Sequence, residues 1–357
     1  MNFKIILFLF LTSFTSYSQK KNNLDGDLEF VNLFSADMKA EVGCYRIPAL
    51  MTAQNGDVLA VIDERMNLCD DLRTHKNINI VMRKSSDNGK TWTPIETLID
   101  YPLGQSASDP SMLLDEVTGE IFLFFNYMNL VTEKGIYYFK MIKSKDNGNT
   151  WSEPLDITSQ VSKPDWKNDF KFITSGRGIQ RANGTLMHTI VNLEKGLFLF
   201  KSEDHGKTWS LLETPIKPGD ESKVLELKDG SLMINSRVNK LGYRYVHTSI
   251  DNGKTWHSKK ENQLQDPACN ASFIRFNLDN NVLLFSNANS KNKRENLTIK
   301  ASFDEGKTWS NSKIIFPGKA AYSSMTVLKN GDIGVFFEKD DYTENAFVRI
   351  NKDWLTK

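Results

Sequence analysis

The sequence has little cysteine and no excess of charge of either sign. Only three cysteines, Cys44, Cys69 and Cys269, occur among 357 residues. At most one disulfide can join them within the chain, which excludes a fold built on a disulfide framework, and their spacing does not match a metal site. Lysine and arginine number 45 against 44 aspartate and glutamate. This balance argues against nucleic acid as a partner, and we expect none.

A long apolar run is also missing. Residues 5–11 form an unbroken apolar run that is too short to span a bilayer, so we expect no membrane anchor. The run follows Lys4 and precedes the small residues Ser16 and Ser18, which is the order of a secretory signal peptide. The sequence predicts a signal peptide over residues 1–18, a single domain over residues 19–357, and export to the periplasm or the medium as a monomer.

The chain does contain five copies of one phrase, Ser-x-Asp-x-Gly-x-Thr-Trp, which we call boxes. Successive boxes begin 47 to 59 residues apart, a spacing typical of repeat architectures. Asp accepts hydrogen bonds from nearby amides and Gly tolerates positive φ, so each box predicts a hairpin connection. A calcium loop would need several carboxylates, and the phrase fixes only one. The boxes occupy residues 85–92, 144–151, 202–209, 249–256 and 302–309.

Tight turns flanked by short apolar runs alternate with the boxes. Six turn dipeptides accompany five boxes, so the sequence predicts six units. In the first unit we expect strands over residues 47–52, 58–63, 77–83 and 93–98, and four antiparallel strands per unit are typical of a propeller blade. The turns are Asn55-Gly56, Thr118-Gly119, Asn183-Gly184, Asp229-Gly230, Asp279-Asn280 and Asn330-Gly331.

The last unit lacks a fourth strand before the chain ends. The apolar segment 28–34 belongs to no other unit, and pairing it into the last unit would remove an exposed sheet edge. We therefore predict an all-β fold with almost no helix. Its form is a six-bladed β-propeller with four antiparallel strands per blade, closed by an N-terminal strand in the last blade.

Seven ionisable residues are predicted to share one rim of this fold. The starts of first strands and the loops between second and third strands lie at the same end of a blade, whereas the boxes lie at the opposite end. Ionisable side chains unusually close to strands cluster at the first of these ends. They are Arg46, Asp70, Asp71, Glu221, Arg237, Arg294 and Tyr322.

These segments resemble the sialidases, or neuraminidases, of the Asp-box propeller type. The resemblance covers nearly all of the chain after residue 18. Boxes alone are a weak signal, because they recur in propellers that catalyse nothing, whereas the Tyr-Arg-Ile-Pro start and the Glu-to-Arg segment are far more specific. The matching segments are Tyr45-Arg46-Ile47-Pro48, the boxes, residues 221–237, Phe285-Ser286-Asn287 and Tyr322-Ser323-Ser324.

The resemblance implies a site for sialic acid, whose anomeric carbon carries a carboxylate. Arg46, Arg237 and Arg294 match the three arginines that hold this carboxylate with planar, charge-assisted hydrogen bonds. Tyr322 matches the nucleophile, and a neutral phenol avoids the repulsion that an anionic nucleophile would meet. A phenol is mostly protonated at neutral pH, so a base must take its proton, and Glu221 matches that base.

The resemblance places the acid that protonates the leaving sugar on the loop after the second strand, as Asp71 or Asp70. We favour Asp71, because the Asp-Leu-x-x-His pattern through His75 resembles relatives whose acid opens that phrase. Asp70 remains the alternative.

Four further residues are expected near this rim. Asp109 and Arg177 either contact the glycerol or N-acetyl groups of the sugar or are solvated loop charges. Arg65 and Asp63 are expected to orient the acid and the first arginine. Glu226 lies inside an apolar strand pattern, and we expect it to be structural.

The resulting prediction is an exported exo-α-sialidase, a retaining glycoside hydrolase that acts through a covalent tyrosyl intermediate. Its expected substrates are glycoproteins, glycolipids or oligosaccharides with terminal sialic acid. We expect no cofactor and no metal, since the five histidines are scattered without ligand spacing. The alternatives are an intramolecular trans-sialidase, a hydrolase of deaminated sialic acid, and a non-catalytic glycan-binding propeller.

Overall fold

The computed structural model describes residues 28–277 and 282–353. The predicted signal peptide and the turn at Asp279-Asn280 lie outside the described residues. Within them the fold is all-β, as predicted, and the little helix comprises α1 (Thr158–Val161), two short 3-10 turns, Ala36–Met38 and Pro164–Trp166, and residues 352–353. No helix in residues 28–277 or 282–353 is long and apolar enough to cross a membrane.

The strands follow one another with short connections. In chain order they are β1 (Phe30–Ser35), β2 (Val42–Thr52), β3 (Val58–Met66), β4 (Ile78–Ser85), β5 (Glu96–Ile99), β6 (Gln105–Leu114), β7 (Ile121–Asn129), β8 (Tyr138–Ser144), β9 (Leu155–Asp156), β10 (Lys171–Ile173), β11 (Gly176–Arg177), β12 (Ile179–Gln180) and β13 (Leu186–Asn192). The remainder are β14 (Gly196–Ser202), β15 (Ser210–Leu211), β16 (Ser222–Glu226), β17 (Leu232–Ser236), β18 (Tyr243–Ser249), β19 (His257–Gln265), β20 (Ser272–Asn277), β21 (Val282–Ala288), β22 (Glu295–Ser302), β23 (Asn311–Val327), β24 (Ile333–Lys339) and β25 (Glu344–Ile350).

Hydrogen bonding groups the described strands into five sheets, most of whose strands follow one another in the chain. Two sheets have four strands, β2–β5 and β16–β19, and two have five, β11-β6-β7-β8-β9 and β10-β13-β14-β15 with β12 beside β13. Neighbouring strands are antiparallel except β11, which runs parallel to β6. The fifth sheet has seven strands in the order β1-β25-β24-β23-β22-β21-β20.

The long strand β23 joins two four-stranded sets within the seven-stranded sheet. Its first part, up to Lys319, pairs with β22, and its second part, from Ala320, pairs with β24. At the far edge β1 pairs antiparallel with β25, with Phe30 opposite Val348. The predicted pairing of an N-terminal strand with the last strand of the chain is confirmed.

Burial falls from the second strand of a sheet to the fourth. In β7, whose sequence is Ile-Phe-Leu-Phe-Phe-Asn-Tyr-Met-Asn, all but the last residue are buried, whereas in β5 only the last residue is buried. A strand packed on both faces reads as a continuous apolar run, while an outer strand has a wet face. Apolar clusters between adjacent sheets, such as Val61 and Met82 with Met112 and Leu123, form the core.

Each box is a hairpin connection between a third and a fourth strand, as predicted. In the first box Asp87 Oδ1 accepts hydrogen bonds from the amides of Lys90 and Thr91, both at 2.9 Å, and Oδ2 accepts one from Thr91 Oγ1 at 2.7 Å. Gly89 has φ +80°, and an added Cβ would lie 2.2 Å from the Phe347 ring. The glycine is therefore required both by its dihedral angle and by its close approach to β25, and the box locks two sheets together.

Candidate active site

A cleft of about 390 Å³ lies at the end of the sheets opposite the boxes. It takes side chains from the starts of first strands and from the loops between second and third strands. A larger hollow of about 590 Å³ lies beyond Tyr137 and has no arginine among its described lining residues. The ionisable lining of the cleft is Arg46, Arg65, Asp71, Arg73, Asp109, Tyr137, Asp220, Glu221, Arg237, Arg294 and Tyr322.

Tyr322, Glu221 and Arg237 form a hydrogen-bonded triangle in the centre of the cleft. The Tyr322 hydroxyl donates to Glu221 Oε2 at 2.6 Å. Arg237 Nη1 donates to the same Glu221 oxygen at 2.5 Å and to the Tyr322 hydroxyl at 3.0 Å. Burial and the Glu221 charge raise the pKa of Tyr322 well above 10, although Arg237 and Arg294 oppose this. The phenol is therefore neutral, with its proton directed at a carboxylate.

The backbone ladder of one sheet sets Glu221 beside Arg237. Glu221 comes directly before β16 and Arg237 directly after β17, and the Arg237 amide donates to the Glu221 carbonyl at 3.0 Å. Asp220 Oδ1 accepts the Glu221 amide at 2.8 Å. Asn239 accepts from Arg237 Nε at 3.2 Å and donates to Asp220 Oδ2 at 3.0 Å, so its side-chain amide bridges Arg237 and Asp220.

Glu338 ties the first arginine to the strand of Tyr322. Its Oε1 accepts from Arg46 Nε at 2.6 Å and from the Ile47 amide at 2.9 Å, and its Oε2 accepts the Tyr322 amide at 3.0 Å. Ile47 has φ +66° at a register shift before Pro48, so this part of β2 leaves regular strand geometry. Burial lowers the pKa of Arg46, but the Glu338 carboxylate more than offsets it, so Arg46 stays charged.

Arg294 completes a set of three guanidinium groups around the phenol. Its Cζ lies 5.3 Å from the centre of the Tyr322 ring, and that of Arg46 lies 5.7 Å from it. Tyr342 joins the two outer arginines, because its hydroxyl accepts from Arg294 Nη1 at 3.1 Å while Arg46 Cζ stacks 3.8 Å from its ring centre. Three cations thus converge on one point of the cleft, which suits a carboxylate ligand.

Asp71 lies on the lip of the cleft, on the loop between β3 and β4. Its side chain is 80% exposed, and its Oδ1 accepts from Arg65 Nη1 at 2.7 Å. Desolvation raises the pKa of Asp71, but Arg65, helped by Arg46 and Arg294, outweighs it and holds the pKa below its usual range. Asp63 is fully buried and accepts from Arg65 Nη2 at 3.1 Å, so the pair predicted to orient the acid lies behind Asp71.

Asp70 does not line the cleft. Arg65 Nη1 donates to the backbone carbonyl of Asp70 at 3.0 Å, and Asp70 itself is exposed. Successive residues of the loop direct their side chains differently, which explains why only one of the adjacent carboxylates reaches the cleft.

Asp109 lines the cleft and Arg177 does not. Asp109 Oδ2 accepts from Asn126 at 3.0 Å, and burial, together with Asp63 and Glu221, raises the pKa of Asp109 well above its usual value. Arg177 is in β11 opposite Met112, three residues further along β6 than Asp109. This register carries Arg177 about 10 Å below the rim, away from the position predicted for it.

One wall of the cleft is apolar. Tyr137 and Phe170 have ring centres 5.2 Å apart, and Phe170 and Phe172 have ring centres 5.6 Å apart. Arg73, two residues after the exposed acid, lies over Phe170 with its Cζ 5.2 Å from the ring centre. Opposite the arginines, the cleft can therefore take an apolar group of a bound ligand.

Sequence reasoning missed Glu338, Tyr342, Asp220 and Asn239. Glu338 carried the clearest signal, because an acidic residue closes the apolar run of β24 at the cleft end of the strand. The other three lie in loops, where the sequence pattern alone did not distinguish them from solvated residues.

Residues 72–335 match the family model described as BNR repeat-like domain. A sialidase from Micromonospora viridifaciens is 34% identical, covering 87% of this chain and 52% of that protein. A sialidase from Paraclostridium sordellii is 30% identical, covering 71% of this chain and 70% of that protein. The solved structure of the Hadza microbial sialidase Hz136 has a TM-score of 0.80 and 30% identity, covering 88% of this chain and 67% of that one. The chain spans only about half the length of the Micromonospora relative.

Proposed function

The chain belongs to the sialidase family with BNR repeats, and from this premise we propose that it is an exo-α-sialidase. It removes terminal sialic acid from glycoproteins, glycolipids or oligosaccharides and retains the configuration at the anomeric carbon. The observation that carries the proposal is the 2.6 Å hydrogen bond from Tyr322 to Glu221 in the midst of three arginines.

Arg46, Arg237 and Arg294 bind the substrate carboxylate, which brings the anomeric carbon to the phenol. The Tyr322 oxygen attacks this carbon while its proton passes to Glu221 Oε2, so no charged nucleophile has to approach the carboxylate. The bond to the leaving sugar breaks, and the leaving oxygen takes a proton from Asp71.

The second step reverses these proton movements. Asp71 takes a proton from water, the water oxygen attacks the anomeric carbon, and the phenol leaves with the proton held by Glu221. Two displacements at one carbon give retention of configuration.

Substrate binding itself prepares Asp71 as an acid. In the free protein Arg65, Arg46 and Arg294 lower the pKa of Asp71, although desolvation raises it. A bound carboxylate offsets the charge of Arg46 and Arg294, and a leaving sugar above Asp71 removes water from it. Both changes raise the pKa of Asp71, so the carboxyl group is protonated more readily in the complex than in the free enzyme.

Arg65 and Asp109 are proposed as further substrate contacts because both line the cleft. Asp70 and Arg177 line no part of it, and we do not carry them into the proposed site. Burial and the neighbouring Asp63 and Glu221 raise the pKa of Asp109, which favours its protonated form, and a protonated carboxyl group can donate a hydrogen bond to a sugar hydroxyl.

The architecture that accompanies this function is proposed to be a six-bladed propeller in one domain, residues 19–357. The division of the seven-stranded sheet at β23 into two four-stranded sets supports six blades. We further propose that residues 1–18 direct export and that the enzyme acts as a monomer.

A fluorogenic aryl sialoside assay on the purified protein tests the activity. Hydrolysis is expected, and NMR of the products from sialyllactose should show free sialic acid, first as the α-anomer. An anhydro-sialic acid product would indicate intramolecular transfer. Binding of sialyllactose without turnover of either substrate would support a glycan-binding propeller.

A further inference from the structure

The loop that carries Asp71 projects from the body of the protein. It joins β3 to β4, and residues 67–71 are all exposed. A general acid must be held within hydrogen-bond reach of the leaving oxygen, and a misplacement of 1 Å is costly. An exposed loop therefore needs a device that fixes it.

A disulfide joins this loop to the strand of the first arginine. Cys44 and Cys69 are bonded, with their Cα atoms 5.4 Å apart and a sequence separation of 25. Cys44 precedes Arg46 by two residues and Cys69 precedes Asp71 by two residues. One covalent bond thus links the backbone that holds a carboxylate-binding arginine to the backbone that holds the acid.

Noncovalent contacts hold the same loop at two further points. Leu68 packs so closely on Gly43 that an added Cβ would lie 2.5 Å from its carbonyl oxygen, and that oxygen also lies 3.1 Å from His75 Nε2. Arg65 Nη1 contacts the Cys69 carbonyl at 3.2 Å and the Asp71 carboxylate at 2.7 Å.

One of the three contacts that Arg65 makes with the loop, its ion pair with Asp71, depends on the charge that catalysis removes. When the proposed acid is protonated, this ion pair weakens, and Arg65 then holds the backbone of the loop but no longer the carboxyl group that must donate a proton. The disulfide is independent of the protonation of Asp71, so it can hold the loop in both states.

We propose that the Cys44–Cys69 disulfide is a positioning device that keeps Asp71 in reach of the leaving oxygen. This inference rests on the proposed sialidase function. The cysteines touch no substrate in this scheme, and they act through the position of Asp71.

The double variant C44A/C69A tests the inference through the leaving group. We expect kcat/KM for sialyllactose, a poor leaving group, to fall about 10-fold or more, within the range that general acid catalysis supplies. With an activated aryl sialoside the loss should stay below about 3-fold, because little protonation is needed. In an Asp71→Ala background, the double variant should add no further difference between the two substrates.

Thr91→Val is the matched control, because Thr91 belongs to the box of the same sheet and its hydroxyl donates to Asp87 at 2.7 Å. It should lower Tm without distinguishing the two substrates. If C44A/C69A lowers kcat/KM equally for both substrates, the disulfide only stabilises the fold and the inference is wrong.

Hydrogen exchange separates this inference from the proposed function. The peptide 66–77 should exchange faster in C44A/C69A than in the parent protein, while box peptides stay unchanged. If the parent protein cleaves no sialoside, the sialidase proposal fails, and unchanged exchange of peptide 66–77 would by itself remove the positioning role. Should the variant not fold, a phosphine can reduce the parent disulfide to two thiols, and the same kinetic and exchange comparisons apply; Cys269, the remaining cysteine, is buried.

Discussion

Carboxylates in the boxes and in the cleft have opposite surroundings. In the third box Asp204 accepts from Thr208 Oγ1 at 2.6 Å, and this and other bonds from its own hairpin lower the pKa of Asp204 to about 2. In the cleft Glu221 accepts from Tyr322, 101 residues away, and the pKa values of Tyr322 and Asp109 are raised. In the box, neutral donors of the same hairpin satisfy the charge of the carboxylate. In the cleft, ionisable groups from distant strands lie close together and shift one another's pKa values.

This contrast gives a physical reason to expect function in the cleft and a structural role in the repeated boxes. A carboxylate such as Asp204, whose hydrogen bonds come from residues of its own hairpin between Ser202 and Thr208, stabilises a turn and has little free capacity for a substrate. Ionisable groups that perturb one another in a cleft are where chemistry is expected. Each of the following predictions tests whether a residue stabilises the fold, as expected in the boxes, or takes part in the chemistry, as expected in the cleft.

The largest effect is expected for Tyr322→Phe. Loss of the nucleophile should lower kcat for sialosides by more than about 10³-fold. A 2,3-difluorinated sialic acid should add one fluorosialosyl unit to the mass of the parent enzyme. The added mass should lie on the peptide that contains Tyr322, and the Tyr322→Phe variant should not be labelled at residue 322.

Tyr45→Phe is the matched control for this substitution. Tyr45 is also buried and donates to a glutamate, Glu64, at 3.1 Å, but it does not line the cleft. It should lower Tm and keep kcat. An adduct on Glu221 or Asp71 would show that the nucleophile is wrongly assigned.

Asp71→Ala is expected to follow in size. For a natural glycoside the loss of the acid should cost about 10² to 10⁴ in kcat/KM, and for an activated aryl sialoside much less. The neighbouring Asp70→Ala should leave both substrates within about 2-fold, because Asp70 does not line the cleft. If Asp70→Ala shows this dependence on the leaving group and Asp71→Ala does not, the general acid is Asp70.

Arg237→Lys should have an intermediate effect. Replacing the planar fork loses charge-assisted hydrogen bonds of about 1.5 to 3 kcal/mol, so kcat/KM should fall about 10- to 100-fold, mainly through KM. Arg275 offers a comparison at the box end, since it binds Glu305 with two contacts of 2.7 Å. Arg275→Lys should change Tm and leave kcat/KM unaltered. If Arg237→Lys has the kinetics of the parent enzyme, Arg237 does not belong to the substrate site.

The smallest effect is expected for Asp204→Asn in the third box. Weakening local hydrogen bonds should lower Tm by about 1 to 3 °C and change kcat/KM by less than about 2-fold. The pKa of Asp204 is lowered from 3.8 to about 2 in the folded protein, so its contribution is present above about pH 4 and is lost as the pH falls towards 2. Thermal melts of parent and variant should therefore converge between pH 4 and pH 2. A Tm difference that persists at pH 2 would mean that the carboxylate charge is not what stabilises the box.

The sequence by itself determined the all-β class, the box hairpins and the N-terminal closing strand. These features depend on patterns within a few residues: Asp and Gly at fixed offsets, and apolar runs of strand length. The resemblance to a known family predicted which residues form the site, because Glu221, Arg237 and Tyr322 occur in the order that the family's motifs have.

Only the tertiary structure decided how these side chains meet. Glu338 binds Arg46 across 292 residues, and Cys44 bonds Cys69 across 25, which no local pattern records. The conformation of the β3–β4 loop decided that Asp71 lines the cleft and Asp70 does not, and strand register decided that Arg177 lies deeper than Asp109. The physical reason is that local hydrogen bonds and burial periodicity specify an element, whereas the distance between two ionisable groups depends on how separate strands pair and pack.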